Sequence, residues 1–282
     1  MGTNKTSNIL TSLHGKLVGL NAAGQLVVNG SPISRPYQPL WAGSPSSSPF
    51  EFYELFDDFM SPASSTASDV TVWTTVDDSS TGTNAFQDAV GGIYNVVTAA
   101  SDNDHHAMRT LSKPFQFLAG KRLWLEARVK LSEGTTNEST WWVGLTDTLT
   151  TGGMQAHAAG PLASYDGALI FKTPETAMTL NFETSNAGAQ VTTAAPTAAL
   201  SVTNTWTRVG FFFDGGNSSS ATTATFTPFY AVNDSNTFIA GTAHDYTLAS
   251  SAVMHLIFGV KAGPTAAAET LQIDYIKCVQ ER

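Results

Sequence analysis

The chain has 282 residues and a formal net charge of −9, and only 13% of its residues are charged, about half of the ~25% that is usual in globular domains. Its lysines and arginines are scattered, which argues against direct nucleic-acid binding because phosphates are neutralised by clustered cations. The single cysteine, Cys278, excludes a disulfide within the chain. No stretch approaches the ~18 apolar residues of a membrane span, so we expect no membrane partner.

Residues 1–42 are predicted to form an arm with a short β-hairpin. The stretch KLVGLNAAGQLVVNGSPI alternates apolar and polar residues, and Asn29-Gly30 is a strong hairpin signal. An isolated hairpin is marginally stable in water, so the arm is expected to need a partner surface. The apolar residues expected to make that contact are Leu17, Leu20, Leu26, Val27, Val28 and Ile33. The N-terminus has no apolar run of signal-peptide length, so we expect synthesis in a cytoplasm without Sec export.

Residues 43–49, GSPSSSP, have the composition of a linker, and residues 50–282 are predicted to form one strand-rich domain. In LWLEARVKL, residues 123–131, alternate residues are apolar, which indicates a half-buried strand. SEGTTNEST is interpreted as a turn, with residues 141–145 as the return strand. Further strands are predicted at residues 168–172, 178–184, 206–214, 224–232, 253–261 and 271–280. Short helices are predicted only around residues 54–59 and 86–90.

In two of these strands the sequence pattern predicts which residues share a face of the sheet. TWTRVGFFFDGG ends in a turn signal and is expected to pair directly with ATFTPFYAV, with Val209, Phe211 and Phe213 on one face. The last strand, LQIDYIKCVQ, is predicted to place one set of residues opposite another: Leu271, Ile273, Tyr275, Lys277 and Val279 against Gln272, Asp274, Ile276 and Cys278. Regular strands separated by turn signals favour a sandwich or barrel.

The order of these strands resembles the concanavalin A-like jelly roll, a sandwich of two antiparallel sheets. More narrowly, four motifs resemble those of tailed-bacteriophage virion proteins: FDDF at residues 56–59, K-x-L-W-x-E-A-R at 121–128, V-G-L-x-D-T at 143–148 and I-D-Y-x-x-x-x-Q at 273–280. The stretch GLNAAGQLVVNGSP at residues 19–32 is similar to the arm of phage structural proteins.

This resemblance implies a capsid decoration, or cement, protein of the virion. Such a protein binds the major capsid protein on the outside of the capsid, often as a homotrimer, and stabilises the shell by mass action. The resemblance brings no catalytic or cofactor signature, so the expected function is structural and not enzymatic, with no cofactor and no assigned metal ligands. The arm is then expected to contact neighbouring subunits or the capsid.

An acidic cluster of Glu51, Glu54, Asp57 and Asp58 suggests a glycoside hydrolase as one alternative. Laminarinase-type enzymes, which share the fold, carry E-x-D-x-x-E on one strand so that two carboxylates face the sugar. That motif is absent from this sequence. The competing interpretation is a solvated acidic edge with Phe52, Leu55, Phe56 and Phe59 packing inward.

A second group, Asp102, Asp104, His105 and His106, has metal-ligand chemistry. Adjacent histidines of a strand point to opposite faces and cannot easily bind one ion, so the competing interpretation is a polar loop. Asp147 is interpreted as a turn cap, with a calcium ligand as the alternative, and Cys278 as a small buried residue.

A lectin-like carbohydrate-binding module on a virion or tail is the alternative from a different functional class. It requires exposed aromatic rings that stack on a sugar, and the candidates are Trp124, Trp141 and Tyr165. A glycan is then the expected ligand. The competing interpretation places these rings in the core or at a subunit interface.

Overall fold

The computed structural model describes residues 52–59, 72–78, 82–87, 91–155, 160–173, 180–195, 204–232, 235, 237–248, 252–265 and 267–282, together with four short strands nearer the N-terminus. The chain divides into two compact units, Met1–Ser48 and Pro49–Arg282. Among the described residues, no helix is long and apolar enough to cross a membrane.

The strands in chain order are β1 (Leu10–Leu13), β2 (Lys16–Leu20), β3 (Leu26–Val28), β4 (Ser31–Pro32), β5 (Phe52–Asp57), β6 (Trp73–Asp77), β7 (Thr83–Gln87), β8 (Ile93–Val97), β9 (His105–Thr110), β10 (Phe115–Gln116), β11 (Arg122–Ser132), β12 (Thr140–Thr146), β13 (Gly167–Lys172), β14 (Leu180–Asn186), β15 (Ala189–Ala194), β16 (Thr207–Asp214), β17 (Thr223–Val232), β18 (Ile239–Ala240), β19 (His244–Thr247), β20 (Val253–Lys261) and β21 (Thr270–Glu281). A single 3-10 turn covers Thr150–Gly153 among the described residues.

The N-terminal unit contains a four-stranded antiparallel sheet in the order β1-β2-β3-β4. β2 pairs with β3, and β3 with β4, so the predicted short hairpin is part of a larger meander. Of the residues expected to make arm contacts, Leu17 and Leu20 lie in β2, and Leu26, Val27 and Val28 form β3. Ile33 and the predicted linker at 43–49 lie outside the described residues. The partner of this arm stays a prediction.

The second unit is a sandwich of two antiparallel sheets. The β12 sheet is eight-stranded, with the order β15-β14-β13-β12-β20-β9-β6 and with β10 beside β20. The β11 sheet is nine-stranded, with the order β18-β17-β16-β11-β21-β8-β7, β19 beside β17 and β5 beside β21. Consecutive strands repeatedly lie in different sheets, as in a jelly roll. The predicted fold class, an all-β sandwich of two antiparallel sheets, is confirmed.

The main core lies between the sheets and follows the predicted alternation. From β11, the buried core residues are Leu123, Leu125, Ala127, Val129 and Leu131. From β16 they are Val209, Phe211 and Phe213, and β16 pairs directly with β17 as expected. In both strands every second residue faces the core, because successive side chains of a strand point to opposite sides of the sheet.

β11 and β12 do not form the predicted hairpin. β11 pairs with β16 and β21, whereas β12 pairs with β13 and β20 in the other sheet. The connecting segment therefore crosses the end of the sandwich. A buried ion pair anchors it: the Oε1 atom of Glu133 accepts hydrogen bonds from Lys172 Nζ at 2.7 Å and from Ser139 Oγ at 2.5 Å.

The predicted faces of β21 are correct only for its first half. The register against β11 shifts between Arg128, opposite Tyr275, and Val129, opposite Ile273. Asp274 is the extra residue of this β-bulge, and a bulge reverses the alternation beyond it. Ile276 and Cys278 therefore join Leu271 and Ile273 in the core, and Cys278 is the buried small residue that was expected.

The two predicted helices are wrong where the structure describes them. Residues 54–57 belong to β5, which pairs with β21, and Phe86 belongs to β7, which pairs with β8. The backbone hydrogen-bonding groups of these short segments are satisfied by pairing with a neighbouring strand. The local sequence pattern does not reveal that neighbour.

Candidate functional site

The aromatic residues expected to stack on a sugar are buried. Trp124 and Trp141 are fully buried and Tyr165 is 3% exposed. Phe229 stacks on Trp124 at a centroid distance of 4.4 Å, and Trp141 lies in the core between the sheets. The sugar-stacking alternative therefore fails for these three rings, and the competing interpretation that they are buried agrees with the structure, because residues distant in the sequence cover them. They offer no stacking surface within this chain.

The outer face of the β12 sheet carries a second apolar cluster. Its buried members are Ala107, Trp142, Met154, Tyr165, Leu169, Phe171 and Ile257, with Val76, Leu149 and Leu162 packed against them. Met154 and Tyr165 come from the connection between β12 and β13, which covers this face. The cluster therefore closes this face of the sheet to solvent at these residues.

Glu183 is a carboxylate on this covered face. It is 5% exposed and accepts hydrogen bonds from Tyr165 Oη at 3.0 Å, Gln190 Nε2 at 3.0 Å and Thr192 Oγ1 at 2.5 Å. Burial raises the pKa of Glu183, and the bonds from Thr192 and Tyr165 partly offset this. Three donors hold the carboxylate in place, so its geometry is that of a structural anchor beneath the loop.

The acidic cluster near residue 55 does not converge on one point. Glu54 pairs with Lys277 at 2.6 Å, whereas Asp57 accepts hydrogen bonds from Trp73 Nε1 at 2.7 Å and from the Phe59 backbone at 2.8 Å. Glu51 lies outside the described residues. Of the aromatic residues expected to pack inward, Phe59 does so, but Phe56 is 53% exposed.

The predicted metal group is rearranged by the fold. Asp102 is exposed and accepts a hydrogen bond from Asn103, while Asp104 is 2% exposed and lies with Asp77 and Asp78. Burial raises the pKa of Asp78, but its hydrogen bond with Asp104 and the charge of His105 outweigh burial and lower it. The sequence interpretation missed Asp77 and Asp78, for which the available signal was a pair of acids at the end of a strand.

Asp147 connects two loops rather than capping its own turn alone. Its Oδ1 atom accepts hydrogen bonds from the Asp166 backbone at 2.8 Å and from Thr148 Oγ1 at 3.0 Å. The carboxylate therefore holds the end of β12 against the start of β13.

The outer face of the β11 sheet is the most distinctive surface among the described residues. It combines partly exposed aromatic rings with cations, and we call it the aromatic–cation face: Phe56, Trp206, Phe212, Phe238, Tyr275, Arg128, Lys130, Arg208 and Lys277. Period-two alternation places Arg128, Lys130, Arg208 and Phe212 opposite the core residues of β11 and β16, and Trp206 lies just before β16. The signal in the sequence was the polar and aromatic half of LWLEARVKL and TWTRVGFFF.

Cation–π contacts organise this face. Arg128 lies 4.4 Å and Lys130 4.9 Å from the ring centroid of Trp206. Arg208 lies 4.6 Å from the ring of Phe238, and Lys277 lies 5.3 Å from that of Phe56. Trp206, Phe238 and Phe56 therefore each have at least one cation over the ring.

Acidic residues of β11 and β21 form ion pairs with the arginines of this face. Arg128 forms an ion pair with Asp274 at 2.8 Å. Glu126 lies 4.0 Å from Arg208 and accepts a hydrogen bond from Tyr275 Oη at 2.6 Å. Burial and the charge of Glu126 both raise the pKa of Tyr275, so its hydroxyl stays a donor. These contacts run without a break across β5, β21, β11 and β16.

Comparisons with known proteins find similarity to solved structures at low sequence identity. No protein-family description and no curated protein matches it. Solved structures that match include a protein of unknown function from Shewanella oneidensis, with 15% identity over 82% of this chain and 87% of that one at a TM-score of 0.49. Peanut lectin matches with 12% identity over 82% and 97% of the two chains at 0.49. An endo-1,3-β-glucanase from Streptomyces sioyaensis matches with 12% identity over 84% and 99% at 0.48.

Proposed function

We propose that this chain is a non-enzymatic structural protein that binds the surface of an assembled protein shell, with the aromatic–cation face as its docking surface. The observation that carries this proposal is the composition of that face. Partly exposed Trp206, Phe238 and Phe56 alternate with arginine and lysine. Aromatic residues and arginine are the residue types enriched at protein interfaces and at their energetic hot spots.

The internal contacts of the face also suit docking. Arg128 and Arg208 are already held by Asp274 and Glu126 and lie over aromatic rings. A preorganised side chain loses little rotamer freedom on binding, which lowers the entropic cost of association. The face therefore presents ordered hydrogen-bond donors around apolar rings.

The resemblance to tailed-phage decoration proteins suggests which proteins this chain binds. The partners are the major capsid protein and a second and third copy of this chain, on the outside of a virion. A homotrimer is a closed assembly, which avoids open-ended growth, and the arm supplies a second contact. Stabilisation of the shell follows from mass action, because the protein binds only the assembled state.

Cosedimentation of the full-length chain with DNA-free capsid shells of its phage tests the proposal. The double variant F56A/W206A should weaken binding at least tenfold, as expected for two aromatic hot spots of about 1 kcal/mol or more each. The matched control is Val191→Ala, because Val191 is 46% exposed but lies on β15 of the other sheet. Absence of cosedimentation, or unchanged binding by F56A/W206A, contradicts the proposal.

A lectin-like module is the second candidate, favoured by the same partly exposed rings, since an aromatic face also stacks on a sugar ring. A glycan array probed with the full-length chain distinguishes the two functions. Specific glycan binding that is lost in Trp206→Ala would assign the aromatic–cation face to carbohydrate instead of protein.

A further inference from the structure

Arg109 of β9 carries a guanidinium group that pairs with no carboxylate among the described residues. All of its hydrogen bonds involve one nitrogen, Nη1, which lies 3.3 Å from the Thr110 carbonyl oxygen, 3.4 Å from that of Leu111 and 3.5 Å from each ring nitrogen of His255. The Nε and Nη2 atoms have no hydrogen-bond partner in the part of the chain that the structure describes. A guanidinium presents its N–H groups in a fixed fork that fits two oxygens side by side.

Arg122 of β11 shows what the same two atoms bind elsewhere in this chain. Its Nε donates to Glu281 Oε1 at 2.9 Å, and its Nη2 donates to the same carboxylate. The Arg122 backbone N–H donates to the other carboxylate oxygen at 2.9 Å. The edge that a carboxylate of the chain occupies in Arg122 is therefore open in Arg109, and both arginines reach solvent.

The loop that follows β9 holds Arg109 in position. Residues 111–114 leave the sheet, and β10 then pairs with β20 again. Thr110 Oγ1 donates to the Ser112 carbonyl at 2.8 Å and accepts from the Leu256 N–H at 3.2 Å, so the loop is tied to β20 at its first residue. The carbonyls of this loop bind Nη1 and leave the opposite edge of the guanidinium open. A side chain fixed in this way loses little rotamer freedom when a ligand binds.

His255 of β20 packs against the guanidinium and supplies no negative charge. The residue is 5% exposed, and its Nδ1 atom lies 2.8 Å from the Thr110 carbonyl oxygen and 3.1 Å from that of Ser112. Since a carbonyl only accepts hydrogen bonds, Nδ1 carries the proton. Burial lowers the pKa of His255, the charges of Arg109 and Lys113 lower it further, and the bonds to the two carbonyls partly offset this.

Lys113 is a second cation beside the same histidine. Its Nζ donates to the main-chain carbonyl of Asp147 at 2.9 Å, and Asp147 directly follows β12, the strand that pairs with β20. The Asp147 carboxylate is bound to the Asp166 N–H at 2.8 Å and forms no ion pair with Arg109 or Lys113 among the described residues. Two cations thus lie together without an acid, in a chain whose net charge is −9.

We propose that Arg109 and Lys113 bind an oxyanion at the outer face of the β12 sheet, either a carboxylate or a phosphate or sulfate group. The Nε and Nη2 atoms of Arg109 donate in parallel to two oxygens of the ligand, as Arg122 does to Glu281. The ammonium group of Lys113 adds a second positive charge. The site lies on the other sheet from the aromatic–cation face, so it is independent of the proposed docking surface.

An NMR titration of the full-length chain with sodium sulfate, sodium phosphate and sodium acetate tests this site, at an ionic strength held constant with NaCl. The Nε–H signal of Arg109 and the ring C–H signals of His255 should shift and saturate. The expected dissociation constant is about 1–10 mM, as for a few charge-assisted hydrogen bonds at a partly exposed site. The Nε–H signal of Arg122 should not move, because Glu281 already occupies it.

The three salts distinguish the possible sources of the oxyanion. Tighter binding of acetate would identify a carboxylate, such as an acidic side chain of a partner, as the ligand. Tighter binding of sulfate or phosphate would identify a phosphorylated or sulfated ligand. Both results support the oxyanion site, whereas shifts that do not saturate by about 100 mM of any of the three salts would overturn it.

Arg109→Lys keeps the charge but removes the fork, so the sulfate affinity reported by the His255 ring should fall at least about fivefold. Arg122→Lys is the matched control, because it makes the same exchange where the edge is already occupied, and the affinity should not change. Lys113→Gln, at an exposed position, should weaken binding about twofold and serves if Arg109→Lys fails to fold, which its melting temperature shows. Unchanged affinity in the folded variants of Arg109 and Lys113 would contradict the proposal.

Discussion

Arg128 of β11 and Arg208 of β16 lie directly opposite each other across the two strands. Like charges at such positions repel. Each arginine pairs with an acid on a neighbouring strand: Arg128 with Asp274 of β21, and Arg208 with Glu126 of β11. The aromatic–cation face is therefore a coupled network, and removal of one acid leaves an unbalanced cation.

Glu126→Gln should lower the free energy of unfolding by about 1–2 kcal/mol, because it weakens both the bond from Tyr275 and the pairing with Arg208. The Glu126 side chain is 13% exposed. Glu54→Gln is the control, because Glu54 makes a similar pair with Lys277 at 38% exposure and should cost less than about 0.5 kcal/mol. Urea denaturation measures both, and equal losses would contradict the network.

Phe226→Ala should cost about 3–5 kcal/mol, the usual loss for a fully buried phenylalanine. Phe226 is fully buried and contacts the rings of Phe117, Phe213 and Tyr246 between the sheets. Phe56→Ala removes the same side chain from the surface and should cost less than about 1 kcal/mol. The midpoints of urea unfolding give the comparison, and a loss below about 2 kcal/mol for Phe226→Ala would place this ring outside the core.

Glu269 should make the protein less stable as the pH rises through neutrality. Burial is the largest cause that raises the pKa of Glu269, to about 7 from its ordinary value of 4.5, and one carboxylate oxygen has no hydrogen-bond partner among the described residues. A raised pKa means that the folded state favours the protonated form. The stabilisation is complete below pH 4.5 and is lost as the pH passes 7, by up to about 3 kcal/mol.

Glu269→Gln isolates this effect, because it keeps the shape and removes the titration. Histidines with lowered pKa values, His105, His244 and His255, change stability in the opposite direction, but equally in both proteins. The difference in unfolding free energy, Glu269→Gln minus unmodified chain, should therefore grow between pH 5 and pH 8. A constant difference across that range would show that Glu269 stays ionised when folded.

Removal of residues 1–48 should leave a domain that unfolds at the same temperature as the second unit of the full chain. The sandwich, Pro49–Arg282, is a compact unit with its own two sheets, whereas the arm sheet is separate. The truncated protein should fail to cosediment with capsid shells. Retained binding would sink the hypothesis that the arm contacts the capsid.

Light scattering of the full-length chain should give a mass near three times the 29.8 kDa of one chain, as expected for the proposed homotrimer. A monomeric mass at micromolar concentration would contradict the trimer and would shift the proposal towards the lectin-like module.

Much of the sandwich could be predicted from local patterns. The alternation of LWLEARVKL sorted Leu123, Leu125 and Ala127 from Glu126 and Arg128 correctly. This succeeded because the period of two is a property of the extended backbone itself. The cluster of Asp77, Asp78 and Asp104 was predictable only in part, since Asp104 belongs to the acidic group that the sequence shows, whereas Asp77 and Asp78 reach it through strand pairing.

The sequence by itself determined the all-β class, the strands and most of their inward faces, because alternation and turn chemistry act between adjacent residues. Only the tertiary structure decided which sheet each strand joins and what covers each face. Trp124 is buried because Phe229 stacks on it, β11 and β12 part because each pairs with another strand, and a bulge at Asp274 turns Ile276 inward. These outcomes depend on contacts between segments far apart in the chain, where local patterns carry no information about the partner.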